Sequence, residues 1–311
     1  MNVFLVNDTS NVEHVGCLAV SDAHQRMIAQ AGGRTLFIHH VGQGEKLYKG
    51  DEEEAIQNVF ESKWGRAVYK SDVVIVNGEG TIHHGAGLHL LAILGAAQRL
   101  KKTTFLINAV LEKVVGFETV FEKLTSFTVR EPLSAEVGKA LGGNPTVLPD
   151  SIIEANFSTR PTVDFKNEIV VGDGHWLCDN TLKVLDEFGE GRRRWLLTGS
   201  QRLNDWRHTV ANLKTAKLYV TGRHHGVYLA AMAGIPFVPL PSNTHKIESL
   251  IEWSGCNIPV CRNLVEVESA VNYALENRKE FLKFQKFILS FRPLKLFNNM
   301  RERDVKRSLD Q

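Results

Sequence analysis

Short apolar runs alternate with longer stretches of helical period along most of the chain. In the first half, runs rich in Val, Ile, Leu or Phe predict strands at 3–7, 35–39, 72–77, 104–109, 127–130 and 146–148. Between them the pattern predicts helices at 15–31, 52–64, 87–100 and 133–141, the last opened by Pro132. Gly32-Gly33 and Gly142-Gly143 supply helix stops. The polar stretch 156–164 contains Pro161 and has no clear period, so it marks a linker. The alternation then restarts. Strands are expected at 168–171, 194–197, 217–221, 237–240 and 258–260, and helices at 204–215, 224–233, 245–253 and 264–281. Alternation of this kind predicts an α/β fold with parallel sheets covered on both faces. The expected organisation is one domain over 1–158, a second over 165–280, and a tail from 281 to 311. Two such sheets in tandem bind ligand in the cleft between them, at the carboxyl ends of the strands.

The 311 residues suffice for two domains, and 43% hydrophobic with 23% charged residues is an ordinary globular composition. A net charge of +2 is too small to argue for nucleic-acid binding by bulk electrostatics. Cys17, Cys178, Cys256 and Cys261 form no CxxC pair and no zinc spacing, which suggests reduced thiols in the cytoplasm. The first residues read as a strand rather than a signal peptide, and no window approaches the roughly 18 apolar residues of a membrane span. The tail has a different texture. Phe281, Phe284, Phe287, Ile288 and Phe291 fall at helical spacing, and eight Lys or Arg face Glu302, Asp304 and Asp310. The plain expectation is a terminal helix packed on the body. The sharper one is peripheral contact with an anionic membrane surface.

The densest chemistry lies at Thr221-Gly222-Arg223-His224-His225-Gly226, between the strand at 217–221 and a small-residue helix stopped by Gly234 and Pro236. Helix N-termini favour anions, and a cation with two imidazoles there suits a negatively charged substrate with a proton to move. Other strand ends carry polar loops. Asn7, Asp8, Thr9, Ser10 and His14 follow the first strand, where they serve either as turn and cap residues or as a polar lip for a hydroxyl or phosphate. No GxGxxG fingerprint is present there. Gly78, Glu79, Gly80, His83 and His84 combine close backbone approach with proton-transfer groups. Adjacent histidines without a third ligand make no zinc pattern. Arg130, followed by Glu131 and Ser134, can clamp a carboxylate or phosphate. Asp150 can act as a base, orient a histidine or simply turn the chain. Trp176 can stack on a sugar or pack, and Lys246 can neutralise an anion or stay solvated.

In order, these pieces resemble the polysaccharide pyruvyl transferases. They are the polar first loop, the glycine loop 78–80, Arg130-Glu131-Pro132-Leu133-Ser134, Pro149-Asp150, Arg223-His224-His225-Gly226 before a helix ending Gly-Ile-Pro, and Lys246. The resemblance runs over about 3–255 and is most specific at Arg223 to Gly226. Two places depart from the family pattern: Glu131 stands where Asp is common, and Asn7-Asp8-Thr9-Ser10 replaces a Gly-Asn-x-Gly-Asp loop.

The resemblance implies two Rossmann-like domains in a glycosyltransferase-B-like arrangement. It also implies transfer of pyruvate from phosphoenolpyruvate to a sugar as a cyclic ketal, on a cell-surface polysaccharide or a lipid-linked oligosaccharide acceptor. Arg223, Arg130 and Lys246, with His224 and Ser134, would hold the donor anion. His225 would be the acid, and Asp150, Glu79 or His84 would take the hydroxyl proton. Asn7, Asp8, Thr9, Ser10, His14, Gly78 and Gly80 would form the acceptor side. Phosphoenolpyruvate is the co-substrate, and no metal or other cofactor is required by this chemistry. A lipid-linked acceptor would place the enzyme at the inner membrane face. The alternatives are a glycosyltransferase using a nucleotide-activated sugar on the same scaffold, and a non-catalytic sugar-binding protein.

Overall fold

The computed structural model of the chain describes residues 1–48 and 51–291. These form two compact α/β units. The first comprises Met1–Asn11 and Ser21–Pro149, the second Val12–Val20 and Asp150–Phe291.

The first unit alternates β1 (Asn2–Asp8), α1 (Val15–Gln30, whose first turns belong to the second unit), β2 (Arg34–His40), α2 (Glu52–Glu61), α3 (Lys63–Lys70) and β3 (Val73–Asn77). It continues with β4 (Ile82–His83), α4 (Leu88–Arg99), β5 (Thr103–Ala109), β6 (Leu111–Glu112), α5 (Glu118–Glu122), β7 (Ser126–Val129), α6 (Pro132–Ala140) and β8 (Thr146–Val147). Six strands form a parallel sheet in the order β2-β1-β3-β5-β7-β8, and β4 pairs with β6 separately. The central strands are buried on both faces, which is why they read as continuous apolar runs. Phe4, Val74, Val76 and Leu106 share one buried cluster with Leu90, Leu91 and Leu94 of α4. Each such side chain contributes about 1.5–3 kcal/mol by leaving water. The single helix expected over 52–64 breaks at Ser62, whose hydroxyl accepts from Trp64 N (3.1 Å) and caps α3.

The second unit follows with β9 (Ile169–Gly174), α7 (Asp179–Gly189), β10 (Arg193–Arg194), α8 (Arg202–Asp205), α9 (Thr209–Leu213) and β11 (Leu218–Gly222). Then come α10 (His224–Ala233), β12 (Phe237–Pro239), α11 (Lys246–Ser254), α12 (Leu264–Glu276) and α13 (Arg278–Ser290). Its parallel sheet has the order β10-β9-β11-β12. Nearly every residue of α10 is buried, so this small-residue helix is the hub of the core around Tyr219, Tyr228 and Phe237.

Several expectations change here: the helix expected over 204–215 falls into the two short helices α8 and α9, and that over 264–281 divides into α12 and α13. The strand expected at 194–197 is cut to β10, because the Asp173 side chain takes the Leu197 N–H (3.0 Å) in place of a ladder carbonyl. The segment 258–260 forms no strand, since Pro259 has no N–H to give a ladder. Helix α7 was not expected, although Thr181, Val184, Leu185 and Phe188 bury one face at helical spacing.

The aromatic stripe of α13 packs inward. Phe281 and Phe284 meet Phe237 (ring centroids 5.2 and 5.3 Å), and Phe287 meets Trp253 (4.8 Å). The basic residues from Arg292 onward, on which the membrane-contact expectation rests, lie outside the described residues. No described helix is long and apolar enough to cross a membrane.

Candidate functional site

The carboxyl edge of the second unit's sheet gathers six of the expected residues: His14, Asp150, Arg223, His224, His225 and Lys246. The junction of β11 and α10 explains three of them. Thr221 Oγ1 accepts from Arg223 N (3.1 Å) and fixes the turn. A Cβ on Gly226 would lie 2.3 Å from that same oxygen, so only glycine lets the first helical turn sit this close. Arg223 is the N-cap residue and makes no side-chain capping bond, which leaves the positive end of α10 facing outward from the strand.

Arg223 is held from behind. Asp173, at the end of β9, accepts from Arg223 Nε (3.2 Å), from Thr198 Oγ1 (2.7 Å) and from Leu197 N. The guanidinium Nη groups have no partner among the described residues, so the fork of donors is presented, fixed, to the site. Lys246 opens α11 with its stem and ammonium buried, and Nζ donates to Asn243 Oδ1 (2.5 Å). A half-buried guanidinium and a buried ammonium at adjacent strand ends form a strong anion-binding environment.

Asp150 and His225 form a second feature. Asp150 is fully buried. Its Oδ1 accepts from Ile152 N (2.9 Å), and its Oδ2 lies 3.3 Å from His225 Nε2 and 3.9 Å from His224 Nε2. A carboxylate only accepts, so the neutral tautomer that suits this contact carries its proton on Nε2 and leaves Nδ1 as the acceptor. This arrangement orients His225 as a proton acceptor. His224 packs its ring on Tyr228 (centroids 5.1 Å), whose hydroxyl accepts from Asp150 N (3.0 Å).

His14 joins this group from the start of α1. Its Nδ1 accepts from Gly16 N (3.0 Å) and Cys17 N (3.4 Å), capping the helix, so its proton is on Nε2. Its ring lies 5.4 Å from that of His225. Burial pushes the His14 pKa well below the usual value, and the nearby His225, Arg223, His175 and Lys246 add to this. His14 is therefore a neutral donor rather than a base. Gly16 matters for the same reason that Gly226 does. A Cβ there would stand 2.0 Å from His225 Nδ1, so the missing side chain makes the room in which that nitrogen sits.

The other expected residues belong to the first unit. Asn7 takes a left-handed conformation (φ 61°) at the end of β1 and donates from Nδ2 to Asn77 O (2.7 Å) and Thr81 Oγ1 (3.0 Å). The buried Glu79 carboxylate accepts from Thr9 Oγ1 (3.3 Å) and Asn77 Nδ2 (3.2 Å). Arg130 is buried, with a Cβ on Gly80 placed 3.9 Å from its Nη2. Gly78 packs on Ala109. Asp8 accepts from Ser21 Oγ (2.6 Å) and Ser10 Oγ (2.5 Å), so it organises the turn. Ser134 is fully buried inside the first turn of α6; the N-cap Glu131 carboxylate accepts from its N–H (3.1 Å) and from its hydroxyl. His84 faces Glu112 (3.4 Å), with its Nδ1 against that of His83 (3.1 Å). Among the described residues no group of three or more His, Cys, Asp or Glu is disposed to hold a metal ion.

Sequence reasoning singled out neither Asp173 as the anchor of Arg223 nor Gly16 as the neighbour of His225. Asp173 stood at a predicted strand end, which was a usable signal. Gly16 left none, because its partner is some two hundred positions away.

Several solved structures share this fold. One is a protein from Listeria monocytogenes assigned as a UDP-N-acetylglucosamine 2-epimerase, with TM-score 0.65 and 12% identity, covering 100% of this chain and 97% of that one. The Methanocaldococcus jannaschii UDP-GlcNAc 2-epimerase, in complex with UDP-GlcNAc and UDP, matches with TM-score 0.61 and 15% identity over 98% and 100% of the two chains. The spinosyn rhamnosyltransferase SpnG, complexed with thymidine diphosphate, matches with TM-score 0.59 and 12% identity over 97% and 100%. The fold is therefore the glycosyltransferase-B-like class of paired Rossmann-like α/β units with parallel sheets.

These neighbours correct the expectation of a ketal-forming pyruvyltransferase using phosphoenolpyruvate as co-substrate and partner. They are sugar-nucleotide enzymes, and the ligands named with them are UDP-GlcNAc, UDP and thymidine diphosphate. The physical reason is plain: cations at a helix N-terminus that suit one phosphate and a carboxylate suit a diphosphate equally. No curated protein matches the chain. The family model for polysaccharide pyruvyl transferases matches residues 14–244, from the capping His14 to the loop before Lys246, and the chain belongs to that family.

Proposed function

We propose that the chain is a glycosyltransferase that uses a nucleotide-activated sugar. The observation that carries this is the Arg223 guanidinium, fixed through Nε by Asp173 with its Nη donors unengaged, beside the buried Lys246 at the start of α11. A nucleoside diphosphate leaving group carries its charge on two adjacent phosphates, which two fixed cations and a helix N-terminus stabilise as that charge develops. The UDP and thymidine diphosphate complexes of the structural neighbours support the same reading.

In this chemistry an acceptor hydroxyl oxygen attacks C1 of the donor sugar. The bond from C1 to the phosphate oxygen breaks, and the nucleoside diphosphate leaves with the electron pair. The hydroxyl proton passes to Nδ1 of His225, and Asp150 stabilises the imidazolium that results. Neutral His14 donates from Nε2 without adding a competing charge. Four free thiols fit a reducing compartment, and we place the enzyme in the cytoplasm, with the basic run from Arg292 favouring an anionic membrane surface.

A thermal-shift panel of UDP, TDP and their sugar conjugates tests the reading. The wild type should be stabilised by at least one nucleotide, by about 2.7 kcal/mol when ligand is a hundredfold above Kd. The Arg223→Ala protein should respond far less. Absence of any nucleotide response in the wild type, or an equal response in the variant, would overturn it.

A further inference from the structure

Trp176 stands apart from the other tryptophans. Trp64, Trp195 and Trp206 are buried and Trp253 is half-buried, whereas Trp176 is 70% exposed and the next residue, Leu177, 56% exposed. Large apolar side chains adjacent in sequence are seldom both left in water without a use. The indole sits at the tip of the turn between β9 and α7, and that turn is well tied. His175 Nδ1 accepts from Leu177 N (3.2 Å), Cys178 N donates to His175 O (2.9 Å), and Leu182 N donates to Cys178 O (2.9 Å). The His175 ring lies nearly parallel to the indole, at 26° with centroids 5.8 Å apart. One neighbour therefore steadies the indole while most of it remains open to solvent.

Its place in the sheet gives it a use. Gly174 is in register with Gly222, so the loop carrying Trp176 and the turn carrying Arg223 leave adjacent strands side by side. The charges of Lys246 and Arg223 reach Cys178, two residues past Trp176, and that of His175 reaches His14. The exposed ring thus stands on the β9 side of the cationic centre, while His225 follows Arg223 on α10. A nucleotide-sugar has two ends joined by its diphosphate. With the diphosphate on Arg223 and Lys246, the β9 side offers the flat base an open aromatic face.

We propose that Trp176 is a stacking platform for the donor's nucleobase. The inference rests on the nucleotide-sugar reading and assigns the base-recognition part of that site. A base offers a flat π-face to the open side of the indole, and such stacking tolerates different bases.

Calorimetric titration of the full chain with UDP and with inorganic pyrophosphate separates the possibilities. Trp176→Ala should weaken UDP binding by about tenfold or more. Trp176→Phe, which keeps an aromatic face, should stay within about threefold of wild type, and pyrophosphate affinity should not change in either variant. Unchanged UDP affinity in Trp176→Ala would overturn the proposal, and so would a parallel loss of pyrophosphate, which would mark general damage to the loop. A wild type that binds pyrophosphate but neither UDP nor TDP would instead overturn the nucleotide-sugar reading itself.

Discussion

Replacing Asp150 with Asn changes one atom type at the centre of the site. The side chain is fully buried, and its Oδ1 accepts from Ile152 N, a bond the Asn oxygen preserves. The other position, now an amide NH2, faces His225 Nε2 at 3.3 Å. Two donors cannot share that contact, so the imidazole proton must move to Nδ1 and the basic nitrogen turns toward the amide. The variant keeps Arg223, Lys246 and its fold but has the wrong tautomer. General acid–base catalysis contributes about 10²–10⁴-fold, and the same substitution in a serine-protease triad costs about 10⁴. The expected loss in kcat is therefore about 10²–10⁴-fold, or roughly 3–5 kcal/mol of barrier. UDP affinity should stay within about threefold. The assay is release of nucleoside diphosphate from the nucleotide-sugar selected by the thermal-shift panel, with Tm as the check on folding. Turnover within about threefold of wild type at unchanged Tm would refute the proton-transfer role of the Asp150–His225 pair.

Gly16→Ala poses a test of sign. In a helix Ala is favoured over Gly by up to about 1 kcal/mol, so propensity alone predicts stabilisation. The added Cβ would lie 2.0 Å from His225 Nδ1, and overpacking of this kind costs about 1–3 kcal/mol. Urea unfolding should show net destabilisation with reduced turnover, and a stabilised, fully active variant would contradict the geometry. Acid should weaken the fold through its buried histidines. Burial pulls His39 from 6.5 to about 4, with His89 adding to the shift, and also lowers His14 and His89. Below pH 6.5 the unfolded chain takes up protons that the folded one refuses, so stability falls as pH drops from 6.5 to about 4. His39 alone accounts for about 3 kcal/mol of this loss. Urea unfolding of His39→Gln should show a smaller loss over that window, and an identical pH profile would contradict the assignment.

What the sequence disclosed was local. β1, β3, β5 and β11 were legible because strands buried on both faces carry unbroken apolar runs, 3–6 in β1 and 73–76 in β3 among them. The junction at Arg223 was legible because it combines a strand end, a cation, two imidazoles and a glycine within six residues. Helix ends were less so: Ser62 and Asn277 divide helices that the apolar period runs straight through, since a cap is a single side-chain choice that periodicity does not see. The partnerships within the site were not legible. His14 and Gly16 reach His225 only because the first turns of α1 belong to the second unit. Nor could the chain by itself say whether its cations hold one phosphate or two. The same guanidinium and ammonium serve both.

A crystal of the protein soaked with UDP addresses the central proposal most directly. The diphosphate oxygens should lie within hydrogen-bonding distance of the Arg223 Nη groups and beside Lys246, with Arg223 Nε still on Asp173. Density for the diphosphate elsewhere, with Arg223 and Lys246 unengaged, would contradict it.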